Sequence, residues 1–145
     1  MILAVIDTNV LVSALLSAEG PPGIVLSLAF RGLILPVFNR AILVEYERVL
    51  RRPRFGFKEF EVSAALRKIE EIGLETQDGF WPDALPDRDD GKFLVAADAA
   101  DATLVTGNLR DFPTSSRQQV RVMTPRQFVD AHASQILNFP KPPSR

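Results

Sequence analysis

Met1-Ile-Leu-Ala-Val-Ile6, followed at once by Asp7-Thr8-Asn9, sets the frame for the whole chain. Six residues without a polar member read as a strand buried on both faces. The polar triplet marks its carboxyl end, and a helical stretch follows from Val10 to about Ser17. Outward from there, short aliphatic runs alternate with amphipathic ones. Pro22 suits the first turn of a second helix that ends near Arg31-Gly32. Leu33 to Val37 is a second strand, and Pro36 hints at its end or at a sheet edge. Asn39 is placed to cap a third helix running to about Arg51, before Pro53. Lys58 to Ile72 is a fourth helix, closed by Gly73. A weak strand signal lies between Leu74 and Trp81, then a polar loop from Pro82 to Asp89. Asp90 opens a helix over Gly91 to Ala100. Ala102 to Thr106 and Val120 to Met123 are strands, and Pro125 to Leu137 is a last helix. This order predicts an α/β fold, a three-layer α/β/α sandwich with a mainly parallel central sheet. Residues 1–137 make a single domain, and residues 138–145, with three prolines, a flexible tail.

Composition narrows the function. The chain has 145 residues, 46% hydrophobic and 24% charged, and its 17 basic and 18 acidic residues leave a net charge of −1. No global field pulls it onto nucleic acid or membrane, so any such binding needs a local patch. There is no cysteine and one histidine, His132. Disulfides, thiolate metal sites, a Cys nucleophile and multi-His sites are excluded. His132 lies far in sequence from the acidic residues and reads as a surface or interface side chain. No apolar run is long enough to span a bilayer. Met1 to Ile6 lacks the basic flank of a signal peptide, so the expected location is the cytoplasm.

Functional groups of a parallel sheet gather at the carboxyl ends of its strands. Asp7 stands at one, where it could also simply cap a helix. Glu45 has Ala41, Ile42 and Val49 among its helical neighbours, so its carboxylate stands beside a core-facing stripe. Such a group needs a partner, either Arg48 or Arg52 or a bound cation. Asp87, Asp89 and Asp90 precede an apolar helix; a cap needs one of them, with Asp90 best placed. Asn108, followed by Asp111, stands at the end of another strand, where a plain Gly-Asn turn is the simpler reading. Two carboxylates about 4 Å apart repel by roughly 4 kcal/mol at an effective dielectric near 20. Clustered acids therefore call for a cation, and an all-oxygen donor set fits Mg²⁺ or Mn²⁺.

The segments Val5-Ile-Asp-Thr-Asn-Val-Leu-Val12, Ile42-Leu-Val-Glu-Tyr-Glu47, Asp87-Arg-Asp-Asp-Gly-Lys-Phe-Leu94 and Ala102-Thr-Leu-Val-Thr-Gly-Asn-Leu-Arg-Asp-Phe112, in this order, resemble a PIN domain over residues 2–130. The subgroup most resembled is the toxin component of bacterial toxin–antitoxin systems, of the VapC type. The resemblance implies a ribonuclease that hydrolyses RNA phosphodiester bonds with metal-activated water. It assigns Asp7, Glu45 and Asp90 as the catalytic and metal-holding acids, with Asn108 at the fourth acidic position and Asp111 as an alternative to it. Thr8, Asn9, Asp87, Asp89 and Thr106 become supporting residues. It also implies a homodimer and a cognate antitoxin, for which the apolar second helix and the tail offer surfaces.

An acidic site that holds RNA must be framed by cations. Arg48, Arg51, Arg52, Arg54 and Lys58 follow Glu45 and, with Arg110, are expected to contact phosphate; Arg117 and Arg121 lie with Arg110 near the other end of the site. Phe55, Phe57, Phe60, Phe80 and Trp81 could stack on bases, though core or interface roles suit most of them. Two other readings compete. A PIN domain without catalysis, serving as an RNA- or protein-binding module, would suit Asn108. A phosphatase of the haloacid dehalogenase type also places Asp after its first strand, but wants a second Asp where this chain has Asn9.

Overall fold

In the computed structural model, which describes residues 1–140, the first strand β1 covers Ile2–Ile6 and occupies the middle of the sheet. Its two neighbours are β2 (Ile34–Phe38) and β4 (Thr103–Val105). The outer strands are the two-residue β3 (Leu74–Glu75) and β5 (Val122–Met123). The order is β3-β2-β1-β4-β5 and every pairing is parallel. Ala4, Val5 and Ile6 are almost wholly buried, as a strand covered on both faces must be. Among the described residues, seven helices accompany the sheet: α1 (Thr8–Leu16), α2 (Pro21–Phe30), α3 (Arg40–Leu50), α4 (Glu59–Ile72), α5 (Gly91–Ala100), α6 (Pro125–Ala131) and α7 (Ala133–Asn138). The architecture is the expected α/β sandwich.

The chain leaves β1 toward β2 on one side and returns to β4 on the other, so the strand order reverses between β1 and β4. Open parallel sheets bind their ligands at that point, beyond the carboxyl ends. Register sharpens it. Ile6 pairs with Val105, and the Asp7 amide donates to the Val105 carbonyl at 2.9 Å. Asp7 therefore emerges beside Thr106.

Local chemistry explains most boundaries. Asn39 caps α3 as expected, its Oδ1 accepting from the Ile42 amide at 3.0 Å. Pro36 lies within β2, but pairing with β3 starts only at Val37, so the strand is an edge where the proline sits. Gly73 ends α4 without the left-handed turn of a glycine cap, at φ −89°. Glycine is required there by close approach, because a Cβ would stand 2.6 Å from the Pro36 carbonyl oxygen and 2.7 Å from that of Ile69. The expected single helix over residues 125–137 is broken at His132. Its backbone leaves the helical region, and its imidazole Nδ1 lies 3.0 Å from the Phe128 carbonyl oxygen.

The apolar residues of α2 are largely inside the domain. Val25, Leu26, Leu28 and Ala29 are buried, which leaves Ile24 as its exposed large apolar side chain. Of the expected tail, Asn138 ends α7 and Phe139 lies under the Arg31 guanidinium, 5.1 Å from the ring centre. Residues 141–145 lie outside the described residues. No single helix among the described residues is long and apolar enough to cross a membrane.

Candidate active site at the carboxyl ends of the central strands

Asp7 occupies the cap position of α1, yet its side chain makes no cap hydrogen bond there. Its Oδ2 instead accepts from the Thr106 hydroxyl at 2.7 Å and from Asn9 Nδ2 at 3.3 Å. Asn9 Oδ1 accepts from the Gly107 amide at 3.0 Å, and Thr106 Oγ1 accepts from the Asn108 amide at 3.1 Å. The ends of β1 and β4 are thus sewn together around one carboxylate. Asn9 serves this seam with its amide, donating at one atom and accepting at the other. The haloacid dehalogenase reading needs a carboxylic acid at that position, and so loses its footing.

Asp90 closes a 3-10 turn (Arg88–Asp90) leading into α5. The Asp90 side chain makes no cap bond to α5, contrary to expectation; Asp87 caps the preceding 3-10 turn instead, its Oδ1 accepting from the Asp89 amide at 2.9 Å. A cleft of about 550 Å³ opens over this region. Its lining includes the acids Asp7, Asp87, Asp90 and Asp111, the apolar Val12, Leu16, Val49 and Phe55, and the cations Arg52 and Arg54.

Burial of Asp7, with repulsion from Glu45 and Asp111, raises its carboxyl from 3.8 to about 6 despite the Thr106 bond. Asp90 is pushed up to about 7, by desolvation first and then by the charges of Asp7, Asp87, Asp111 and Glu45. Among the described residues, Asp7, Asp87, Asp90 and Asp111 form no ion pair. No three acidic or histidine side chains there already converge into a closed ligand set. The donor set is nonetheless suited to a hard divalent cation, which binds through one or two carboxylates and keeps several waters. Two carboxylates that burial first, and neighbouring acids second, keep from ionising are what such an ion would relieve.

Glu45 departs from expectation. Neither Arg48, whose nearest nitrogen is 4.0 Å away, nor Arg52 is its main partner. The partner is Lys92 on α5, with Nζ 2.7 Å from Glu45 Oε1 and 2.6 Å from Asp89 Oδ2. The other Glu45 oxygen accepts from the Thr8 hydroxyl. Burial works against the Lys92 ammonium, but the bonds to Asp89 and Glu45 outweigh it and hold its pKa above the usual value. Asp89 is correspondingly held low, chiefly by Lys92. Sequence reasoning missed Lys92; its only local signal was the Asp89–Lys92 spacing of one helical turn. It also missed Tyr46, a buried side chain whose hydroxyl donates to the Ile6 carbonyl and pins α3 to the end of β1.

The remaining expected residues separate into groups. Asn108 caps a 3-10 turn (Leu109–Asp111), its Oδ1 accepting from the Arg110 amide at 3.3 Å. Its Nδ2 donates to Asp111 Oδ1 at 3.1 Å. Asn108 thus acts on the cleft through Asp111. Of the expected phosphate contacts, Arg52 and Arg54 line the cleft. Arg54 also lies 4.7 Å from the centre of the Phe55 ring, itself stacked on Phe57. Arg51 is engaged elsewhere, by Glu59 at 2.7 and 3.0 Å and by Glu47. Arg48 lines a neighbouring depression with Glu45, Asp89 and Lys92. The Lys58 amide donates to Glu61 at the start of α4, and Arg110 is exposed. Trp81 is buried and donates to the Ser116 carbonyl at 2.7 Å, which removes it from the candidate stacking surfaces.

The sequence model of the PIN domain matches residues 3–110. That span includes Asp7, Glu45, Asp90 and Asn108 and stops one residue short of Asp111. A protein of Methanocaldococcus jannaschii, described only as uncharacterized, is 28% identical over 140 residues, covering 89% of this chain and 90% of that protein.

Proposed function

Because the chain belongs to the PIN domain family, whose members are generally nucleases and typically bind divalent metals, we propose that it is a Mg²⁺- or Mn²⁺-dependent endoribonuclease. The observation that carries this reading is the pair Asp7 and Asp90. They share one cleft, both are raised well above the usual carboxylate range, and neither is neutralised by a basic side chain among the described residues.

Asp7 and Asp90 are the residues that would hold the ion, with Asp111 and Asp87 beside them. When bound, a divalent cation supplies an activated water and offsets the charge that builds on a phosphodiester during hydrolysis. The chain's own residues do the rest. Thr106 and Asn9 fix the orientation of the Asp7 carboxylate through two donated hydrogen bonds. Asn108 does the same for Asp111. Arg52 and Arg54, which line the same cleft, offer guanidinium groups to flanking phosphates. Phe55 gives an apolar edge against which a base can lie.

The finer role we propose is that of a VapC-type toxin acting in the cytoplasm as a homodimer, with a cognate antitoxin covering the cleft. Its support is the resemblance of the four acidic segments to that subgroup. The alternative of a non-catalytic binding module draws on Asn108 standing at the fourth acidic position.

Cleavage of a labelled RNA in Mg²⁺, in Mn²⁺ and in chelator tests the reading, using the native chain, Asp7→Asn and Asp90→Asn. Metal-dependent internal cleavage that both variants lose supports it. Metal-supported RNA binding without cleavage by the native chain would select the binding module instead.

A further inference from the structure

The acids at this end of the sheet fall into two sets. Among the described residues, Asp7, Asp87, Asp90 and Asp111 have no basic partner, whereas Glu45 and Asp89 share Lys92. The Lys92 side chain is only 10% exposed and that of Glu45 only 12%. Its backbone is equally fixed: the Lys92 carbonyl accepts from Asn39 Nδ2 at 3.1 Å, and the fully buried Asn39 is also the cap of α3. The helix that carries Glu45 and the helix that carries Lys92 are therefore joined twice through one residue, by the Lys92 carbonyl and by its ammonium. Thr8 completes the run by donating to the second Glu45 oxygen, one residue from Asp7. Arg48 reaches Glu45 only at 4.0 Å with an exposed side chain, so it does not replace Lys92.

We propose that Lys92 is a positioning residue whose ammonium takes the place beside Glu45 that a second divalent ion would need, so that the chain holds one ion, at the Asp7–Asp90 end of the cleft. This rests on the metal-dependent reading above and departs from the expectation that Glu45 is a ligand. A tethered ammonium 2.7 Å from a carboxylate needs no binding from solution. A dication approaching the same oxygen would meet its repulsion in a poorly screened pocket. Glu45 instead passes order along the chain Lys92, Glu45, Thr8, and so onto the start of α1 beside Asp7.

The test counts Mn²⁺ per chain by titration calorimetry and by electron paramagnetic resonance, on the native chain, Lys92→Met, Lys92→Arg and Glu45→Gln. The native chain and Lys92→Arg should each bind one ion. Lys92→Met, which frees Glu45 and Asp89, should gain a second and weaker one. Glu45→Gln should keep one ion with affinity within about threefold of native, a comparison that decides the matter even where Lys92→Met fails to fold. Two ions on the native chain, no second ion on folded Lys92→Met, or a tenfold or greater loss of affinity in Glu45→Gln would each overturn the proposal while leaving metal-dependent cleavage standing. A native chain that binds no Mn²⁺ would overturn both.

Discussion

The Thr106 hydroxyl donates to Asp7 Oδ2 at 2.7 Å, across 99 positions of sequence, and both side chains are buried. The bond exists because the register pairs Ile6 with Val105 and so delivers the next residue of each strand to the same point. Thr106→Val keeps the shape of the side chain and removes the donor. The Asp7 oxygen keeps only the longer bond from Asn9, at 3.3 Å, and loss of a buried hydrogen bond to a charged group costs about 1–3 kcal/mol. The variant should unfold at lower temperature by calorimetry and bind Mn²⁺ more weakly, while Thr106→Ser retains both properties.

Asp90→Asn removes a carboxylate that resists ionisation beside other acids. Cleavage should fall by at least about 100-fold, or roughly 2.7 kcal/mol of transition-state stabilisation. The metal-free variant should nonetheless be more stable than the native chain at pH 8, since repulsion in the cleft is relieved. Thermal melts in chelator check this, and a lower melting temperature would contradict it.

The metal-free protein should lose stability as pH rises. Asp7 and Asp90 titrate at about 6 and about 7 when folded, against 3.8 for the ordinary side chain. The folded state therefore binds more protons than the unfolded one between these values, and stability falls with pH wherever that holds. The contribution is fully present below about pH 4, declines from there through 7, and levels off near 8. Excess Mg²⁺ should flatten the decline, because the ion favours the ionised carboxylates. A melting temperature in chelator that rises from pH 5 to 8 would contradict the argument.

Arg52→Glu with Arg54→Glu should weaken RNA binding and lower the salt slope by about 0.7 for each phosphate that is no longer neutralised. Arg51→Ala should leave RNA binding nearly unchanged, because that guanidinium faces Glu59 and Glu47. Filter binding of the three proteins to one RNA at several salt concentrations separates the two cases.

Gly91 begins α5 directly after Asp90. A Cβ there would stand 2.9 Å from the Cβ of the buried Trp81. Gly91→Ala should cost about 1–3 kcal/mol through overpacking, with a fall in Mn²⁺ affinity as Asp90 shifts. Denaturant unfolding and calorimetry on one preparation measure both.

What the sequence disclosed and what it hid have physical causes. The run Met1 to Ile6 and the acid behind it were legible because a doubly buried strand tolerates no polar residue and ends abruptly at one. The Asn39 cap was legible because capping is a local bond of three residues' span. The cleft shared by Asp7 and Asp90 followed from the parallel arrangement of the strands. The partner of Glu45 did not follow, because Lys92 lies on another helix, whereas Arg48, three positions on, and Arg52, two turns on, were the candidates that local spacing offers. Arg51 reads as a free cation in sequence, yet Glu59 across the next turn engages it. The break at His132 depends on a side chain meeting its own helix, which apolar periodicity does not record.

Anomalous diffraction from a crystal soaked in Mn²⁺ tests the central claim most directly. The account predicts a single strong peak between the carboxylates of Asp7 and Asp90, with none beside Glu45. A crystal without a peak in that cleft, at a Mn²⁺ concentration that supports RNA cleavage in solution, would contradict it.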